Sequence, residues 1–197
     1  MTKFKLIYFI ILLSMASSES IKEPDYNLIK KDGKIEIREY SDYVIAKTSL
    51  SKGDTKENNS MFRTLAGYIF GGNSKNQSIS MTAPVITQSN NDDYNMIFFM
   101  LDAKNPEELP IPNNQNVILE KMDIGKTVSI TFGMWATDDR VAHYKPILDK
   151  YINDNKIEVL SALMVAQYNS PWAIPPFRKN GYWKNCLYNI WYVGNRR

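Results

Sequence analysis

The sequence predicts an α+β fold in which two βαββ units share a single core, their sheets curling together like a barrel. Three observations carry this. Apolar residues alternate strictly in several short runs, which is the period of a strand. Two longer stretches repeat their apolar residues at the period of a helix. The order strand, helix, strand, strand occurs twice, and Leu65 and Leu148, Tyr68 and Tyr151, Ile69 and Ile152, Met81 and Met164, and Ala83 and Ala166 each stand 83 residues apart. Neither unit could cover its own sheet alone, so the pair would pack into one core.

In chain order, IEIREY (Ile35 to Tyr40) places Ile35 and Ile37 on one face and Glu36 and Arg38 on the other, the pattern of a half-buried strand. YVIAKTSL (Tyr43 to Leu50) follows across Ser41-Asp42 as a second strand. From about Thr55 to Phe70, Met61, Phe62, Leu65, Ala66, Tyr68 and Ile69 fall on one helical stripe, and Gly71-Gly72-Asn73 ends it. ISMTAPVIT (Ile79 to Thr87) and YNMIFFML (Tyr94 to Leu101) read as strands, and the Pro- and Asn-rich stretch from Asp102 to Asn116 as the longest loop. The second half offers a strand near Lys126 to Phe132 and a helix from about Asp138 to Asn155 with Val141, Tyr144, Leu148, Tyr151 and Ile152 as its stripe. Pro146 either opens that helix at its first turn or kinks it. A strand from Val159 to Tyr168, a Pro-rich loop and a last strand around Tyr182 to Tyr192 complete the chain.

The 197 residues suit one domain, and a net charge of +3 from 24 basic and 21 acidic residues is too small an excess for a phosphate-backbone partner. One His and one Cys exclude a disulfide framework and a clustered His/Cys metal site. Residues 1–18 have the layout of a signal peptide: Lys3 and Lys5, an apolar run from Leu6 to Leu13, then Ala16 and Ser18, with cleavage near 18–20. Removing 18 of the 197 residues leaves 179, and losing the two lysines lowers the charge from +3 to +1. The run is shorter than the roughly 18 residues a membrane span needs, so no stable span is expected after cleavage and the destination is the periplasm or the extracellular space. Cys186, in an apolar stretch, reads as buried. Asn58-Asn59-Ser60 and Asn76-Gln77-Ser78 fit the glycosylation pattern for a host that uses it.

No catalytic constellation emerges. A Cys-His pair could be built only from Cys186 and His143, and His143 lies roughly 200° around the helix from Val141, on its polar side. Asp138-Asp139 and Glu107-Glu108 are explained by helix-dipole compensation and solubility. The chain contains no G-x-G-x-x-G and no H-E-x-x-H.

Four blocks resemble the SOUL/haem-binding protein family: IEIREY with the YVIAKT strand, AGYIFGGN (Ala66 to Asn73), ISMTAPV (Ile79 to Val85) and AQYNSPWAIPPFRKNGYW (Ala166 to Trp183). The resemblance covers roughly Tyr26 to Tyr192 and implies a single domain over residues 24–193, folded as a distorted antiparallel β-barrel of two pseudo-symmetric βαββ repeats with two flanking helices. It further implies reversible, non-covalent binding of b-type haem or a related tetrapyrrole, without catalysis, near the first helix. Carried onto this chain, the contact residues are Met61, Phe62 and Leu65, with Arg63 and Tyr68 near the rim; packing of the helix on the sheet is the alternative for the apolar three, and solvation for Arg63. Some members carry a His, proposed as an axial ligand, where this chain has Glu39, a poor haem-iron ligand beside His, Cys, Met or Tyr. The family's R-x-N-E-x-W is R-K-N-G-Y-W here, so Gly181 replaces an acid; where that acid anchors the Pro-rich loop in relatives, the loop here is expected to be looser. Pro171, Trp172, Pro175, Pro176 and Phe177 form an apolar lid or a structural cover. Lys75 and the Arg178-Lys179 pair are further basic partners for propionates. The competing functions are a general hydrophobic-ligand barrel of the kind seen in bacterial effector-binding domains, a small-molecule hydrolase, and a partner-binding Pro-Trp loop.

Overall fold

A computed structural model describes residues 21–51, 58–89, 93–169 and 178–187. The first half holds β1 (Tyr26–Asp32), β2 (Ile35–Tyr40), β3 (Asp42–Ser51), α1 (Asn58–Ile69), β4 (Val85–Ser89) and β5 (Asp93–Phe99). The second holds β6 (Ile118–Asp123), β7 (Lys126–Gly133), α2 (Asp138–Asp154), β8 (Glu158–Val159), β9 (Met164–Gln167) and β10 (Lys179–Leu187). The ten strands of the described residues join one curled antiparallel sheet in the order β1-β2-β7-β10-β9-β4-β5-β3-β6, with β8 on β10. The predicted α+β distorted barrel with two helices is what forms.

The order is symmetric about the β9/β4 boundary, running β10, β7, β2 to one side and β5, β3, β6 to the other. Each half is thus a βαββ unit, β3-α1-β4-β5 or β7-α2-β9-β10, preceded by one strand lent to the other half: β2 pairs with β7, and β6 with β3. The 83-residue spacing holds at the helices, where Leu65 and Leu148 are both fully buried. It fails after them, because Met164 opens β9 whereas Met81 lies before β4.

Alternation divides the side chains between two faces. On one, α1 seats Met61, Leu65 and Ile69 against Val44, Ala46 and Phe98, while α2 seats Leu148 and Ile152 against Ile37, Val128 and Ile130. The other face curls on itself around Ile45, Ile86, Ile97, Phe99, Met164 and Trp183. Helix α1 stops because the Gly72 amide closes on the Gly67 carbonyl at 2.8 Å, where a Cβ would stand 2.6 Å from that oxygen. The buried Asn73 amide then donates to the Tyr68 and Gln77 carbonyls, satisfying the frayed end.

Several expectations are corrected. Strand β2 is buried on both faces, with Glu39 alone exposed, because Glu36 and Arg38 pair with one another under the curl instead of facing water. The Arg38 guanidinium, 2% exposed, donates through Nε and Nη2 to Glu36 Oε2 at 2.9 and 2.7 Å, and through Nη1 to the Tyr40 and Tyr168 hydroxyls at 3.1 and 3.3 Å. Lys31 Nζ takes Glu36 Oε1 at 2.8 Å, and the guanidinium lies 4.4 Å from the Tyr26 ring centre. The run from Ile79 becomes strand only at Val85, after the cis Ala83-Pro84 bond. The run from Val159 splits into β8 and β9. β1 and β6, whose polar, irregular patterns carry no clear period, were not foreseen as strands. Pro146 is well inside α2, past the first turn. The leader, the Pro-Trp loop and the chain beyond residue 187 lie outside the described residues.

Removing one partner of a buried charge pair strands the other. Arg38→Met is expected to cost about 3–5 kcal/mol in urea unfolding, and the double change Glu36→Leu with Arg38→Met to recover much of it; a double variant no better than the single would show that the pair is not the unit. Burial raises the Glu36 carboxyl, but hydrogen bonds from Lys31 and Arg38 outweigh it and hold the carboxyl below its ordinary value of 4.5. The native state therefore binds this proton less readily than the unfolded state. Its contribution is full above that value and is lost as pH falls through the depressed one. Glu36→Gln should flatten the acid limb of the stability profile below about pH 4.5.

Candidate functional site

Between the two helices, the middle strands of the sheet carry no helical cover. There a groove of about 540 Å³ opens, within the range of small-ligand and cofactor sites. Its floor is the helix-side face of β4, β5, β9 and β10: Val85, Thr87, Met96, Gln167 and Asn180. Phe62 of α1 makes one wall, and Trp135, Ala136 and Thr137, leading into α2, make the other. Ile21, Met81, Thr82, Ala83, Tyr168, Asn169 and Arg178 complete it.

Local chemistry positions these groups. The Thr82 hydroxyl donates to the Phe99 carbonyl at 2.7 Å and the Ala83 amide to the Lys22 carbonyl at 2.9 Å, which fixes the turn that presents Met81 and Val85. Asn180 Nδ2 donates to the Met134 carbonyl at 2.7 Å. Met134 has φ of +69°, a left-handed conformation unusual for its type, and this bond helps hold the loop that carries Trp135. The Arg178 guanidinium lies 3.5 Å from the Trp135 ring centre. Tyr168, at the groove's edge, also accepts from Arg38, so the buried charge network touches the site.

Of the residues named from the sequence, Phe62 lines the groove. Met61 and Leu65 are buried in the core beneath α1. Arg63 and Tyr68 border a separate concavity with Thr64, Gly72 and the 113–116 loop; the Tyr68 hydroxyl donates to the Pro110 carbonyl at 3.0 Å, and burial pushes its pKa up to about 12. Glu39 is exposed and outside the groove, and His143 is exposed on α2. Cys186 is buried, its thiol pushed up to about 11 by burial. Of the basic partners, Arg178 reaches the groove, while Lys179 pairs with Glu23 at 2.9 Å and lies over the Tyr168 ring. The sequence does not mark Met81, Val85, Met96, Trp135 or Asn180 as site residues. The first two and Asn180 stand inside quoted motif blocks, which was the available signal; Trp135 had none.

Gly181 has a packing role. A Cβ there would stand 2.9 Å from Trp183 Nε1, and the indole is confined by the Tyr40 ring at 5.1 Å and the Arg38 guanidinium.

The fold and groove define a class: a curled antiparallel sheet with an open groove between two pseudo-symmetric helices. The chain belongs to the SOUL heme-binding protein family, matched over residues 21–184. Among solved structures, a hydrolase from Listeria innocua is similar at 12% identity, over 81% of this chain and 94% of that one, with a TM-score of 0.58. The EcmrR C-terminal domain is similar at 10% identity, over 82% and 98%, with a TM-score of 0.59. EcmrR in complex with DNA is similar at 11% identity, over 93% of this chain and 64% of that one, with a TM-score of 0.59. At these identities the likeness is one of fold. A comparison with curated proteins finds no match.

Two substitutions separate core from groove. Gly181→Ala should cost about 1–3 kcal/mol in thermal or urea unfolding, as overpacking in a confined site does. Leu65→Ala should cost about 2–5 kcal/mol, whereas Phe62→Ala, at the groove wall, should cost markedly less; equal losses would place Phe62 in the core.

Proposed function

We propose that this chain binds haem or a related tetrapyrrole reversibly and non-covalently in the groove between α1 and α2, as an exported, non-catalytic carrier or buffer. One observation carries the reading. The M-T-A-P-V, A-Q-Y and R-K-N segments, distant in sequence, contribute Met81, Val85, Gln167, Tyr168, Arg178 and Asn180 to one largely apolar groove. A macrocycle offers two broad apolar faces, and Phe62, Met81, Val85 and Met96 are suited to cover one. Among the described lining residues there is no imidazole, thiol or carboxylate. That set fits a porphyrin held by its faces and not an imidazole-ligated iron; the thioethers of Met81 and Met96 are the soft donors present. It also offers no nucleophile and base pair, which supports a non-catalytic role. Bound haem would bring a redox-active iron, and these side chains would orient and desolvate its ring.

Export rests on the three-part layout of the first residues, and the destination is the periplasm or the extracellular space. No helix among the described residues is long and apolar enough to cross a membrane. A general hydrophobic-ligand module is the second reading, favoured by the absence of an imidazole among those lining residues, since apolar contact alone accommodates other flat amphiphiles.

Titrating the protein with haem and with protoporphyrin IX should give a saturable Soret shift; neither ligand saturating would sink the reading. Phe62→Ala should weaken binding about tenfold, on the order of 1.4 kcal/mol, while His143→Ala should leave the spectrum unchanged. Loss of a low-spin band on replacing His143 would show that the imidazole does reach the iron.

A further inference from the structure

We infer that the curl carries an electron relay from the groove to the surface: a chain of Tyr and Trp rings that refills oxidising equivalents arising on a bound haem and so protects the carrier and its cargo from hydroperoxides. This rests on the haem-site reading above and adds a function to the residues behind that site.

Three ring contacts build the chain. Tyr168 borders the groove and turns its ring into the curl, where the ring centre lies 6.2 Å from that of Trp183. Trp183 lies 5.1 Å from Tyr40, and Tyr40 lies 5.3 Å from Tyr26. Tyr168, Trp183 and Tyr40 are buried, whereas Tyr26 is 41% exposed and meets water. One end of the path is thus at the site and the other in solvent. Every ring along it is a phenol or an indole, among the side chains that give up an electron most readily. The stacks beneath the helices differ, because they pass through Phe98 and Phe132, whose rings are too hard to oxidise to serve as steps.

Proton chemistry assigns the roles. An oxidised phenol is stable only once its proton has left. Tyr40 and Tyr168 are sealed in the curl with Arg38 donating to their oxygens, so neither is a resting place for the missing electron. An indole can lose an electron and keep its proton, and the Trp183 N–H is buried with no hydrogen-bond partner among the described residues, so Trp183 is a transient step. Glu36 balances the Arg38 charge beside it, which makes a passing positive charge tolerable. Tyr26 can release its proton to water, and there the missing electron comes to rest. In the whole reaction a hydroperoxide takes two electrons and two protons and becomes an alcohol and water. The electrons are drawn from the haem and replaced one at a time through the chain. Each replacement leaves Tyr26 as a neutral tyrosyl with its proton in solvent, until an external one-electron reductant of the ascorbate class returns an electron and a proton.

The experiment loads the full chain with haem, adds an equivalent of hydrogen peroxide in the presence of a spin trap, and locates the adduct by tandem mass spectrometry. The adduct should lie on Tyr26 and should be absent when peroxide meets the haem-free chain. Trp183→Phe should lower its yield severalfold. Tyr26→Phe should abolish the tyrosyl signal in freeze-quench electron paramagnetic resonance and speed bleaching of the Soret band severalfold, with haem binding unchanged. Circular dichroism melts identify a Trp183→Phe chain that fails to fold, and the exposed Tyr26 position supplies a test that does not depend on it. An adduct confined to Trp135 at the groove wall, a Tyr26 yield unchanged in folded Trp183→Phe, or a Tyr26→Phe chain that bleaches no faster would overturn the relay while leaving the haem site standing. Absence of a saturable Soret shift on adding haem would overturn the site and the relay together.

Discussion

The buried Arg38 guanidinium is the constraint on which the rest of the architecture turns. Within the curl it is ligated by Glu36 and by two phenol oxygens, and its faces lie near the Tyr26 and Trp183 rings. Those partners come from β1, β2, β10 and the end of β9, so one side chain ties together strands that are far apart in sequence. A charge in such a place is tolerable only if every partner is present at once. Burial pushes the Tyr40 phenol well above its ordinary range, with the nearby Arg38 charge only partly offsetting it, and Tyr168 behaves alike. Both phenols therefore stay neutral and present fixed dipoles to the cation. The result is a plug inside the curl of the sheet, on the face away from the helices.

That open face follows from symmetry. Two helices placed by equivalent units cover the two wings of the sheet, and neither extends over the β9/β4 boundary where the units meet. A groove at the pseudo-two-fold is the geometric remainder of packing two such units. Its chemistry is then set by which side chains the boundary strands present, and among the described residues these are thioethers, small aliphatics and amides in the middle, an aromatic wall on each side and Arg178 at the edge. The likeness to a Listeria innocua hydrolase and to EcmrR shows the same frame in chains of different sequence.

Much of this was legible in the sequence because period and punctuation are local. The α1 stripe, its Gly72 stop and the α2 stripe needed only spacing, and the repeated order announced the duplication. Glu36 and Arg38 show where such reasoning stops: alternation says that they share a face, but whether that face meets water depends on strands distant in sequence, such as β7 and β9. The polar sequence of β1 hid a strand whose place is fixed by its pairing with β2 rather than by its own pattern. The site was half legible for a related reason. Phe62 could be read from the helix, but whether Met61 and Leu65 face groove or core is decided by the angle at which the helix meets the sheet. Met81, Trp135 and Arg178 become neighbours only through the fold.

The position of β10 has a consequence for how the molecule comes into being. It is the last described strand of the chain, yet it lies in the interior of the sheet, between β7 and β9, and it carries Trp183 and Asn180. As the chain emerges from the ribosome, β2 must wait for β7, and β7 and β9 must wait for β10. Until β10 appears the nascent polypeptide has a gap in the centre of its sheet, no plug and no groove. Assembly is then a single late event governed by distant pairings, which are slow to form. A chain lacking β10 would retain the exposed edges of β7 and β9 and no groove between the helices.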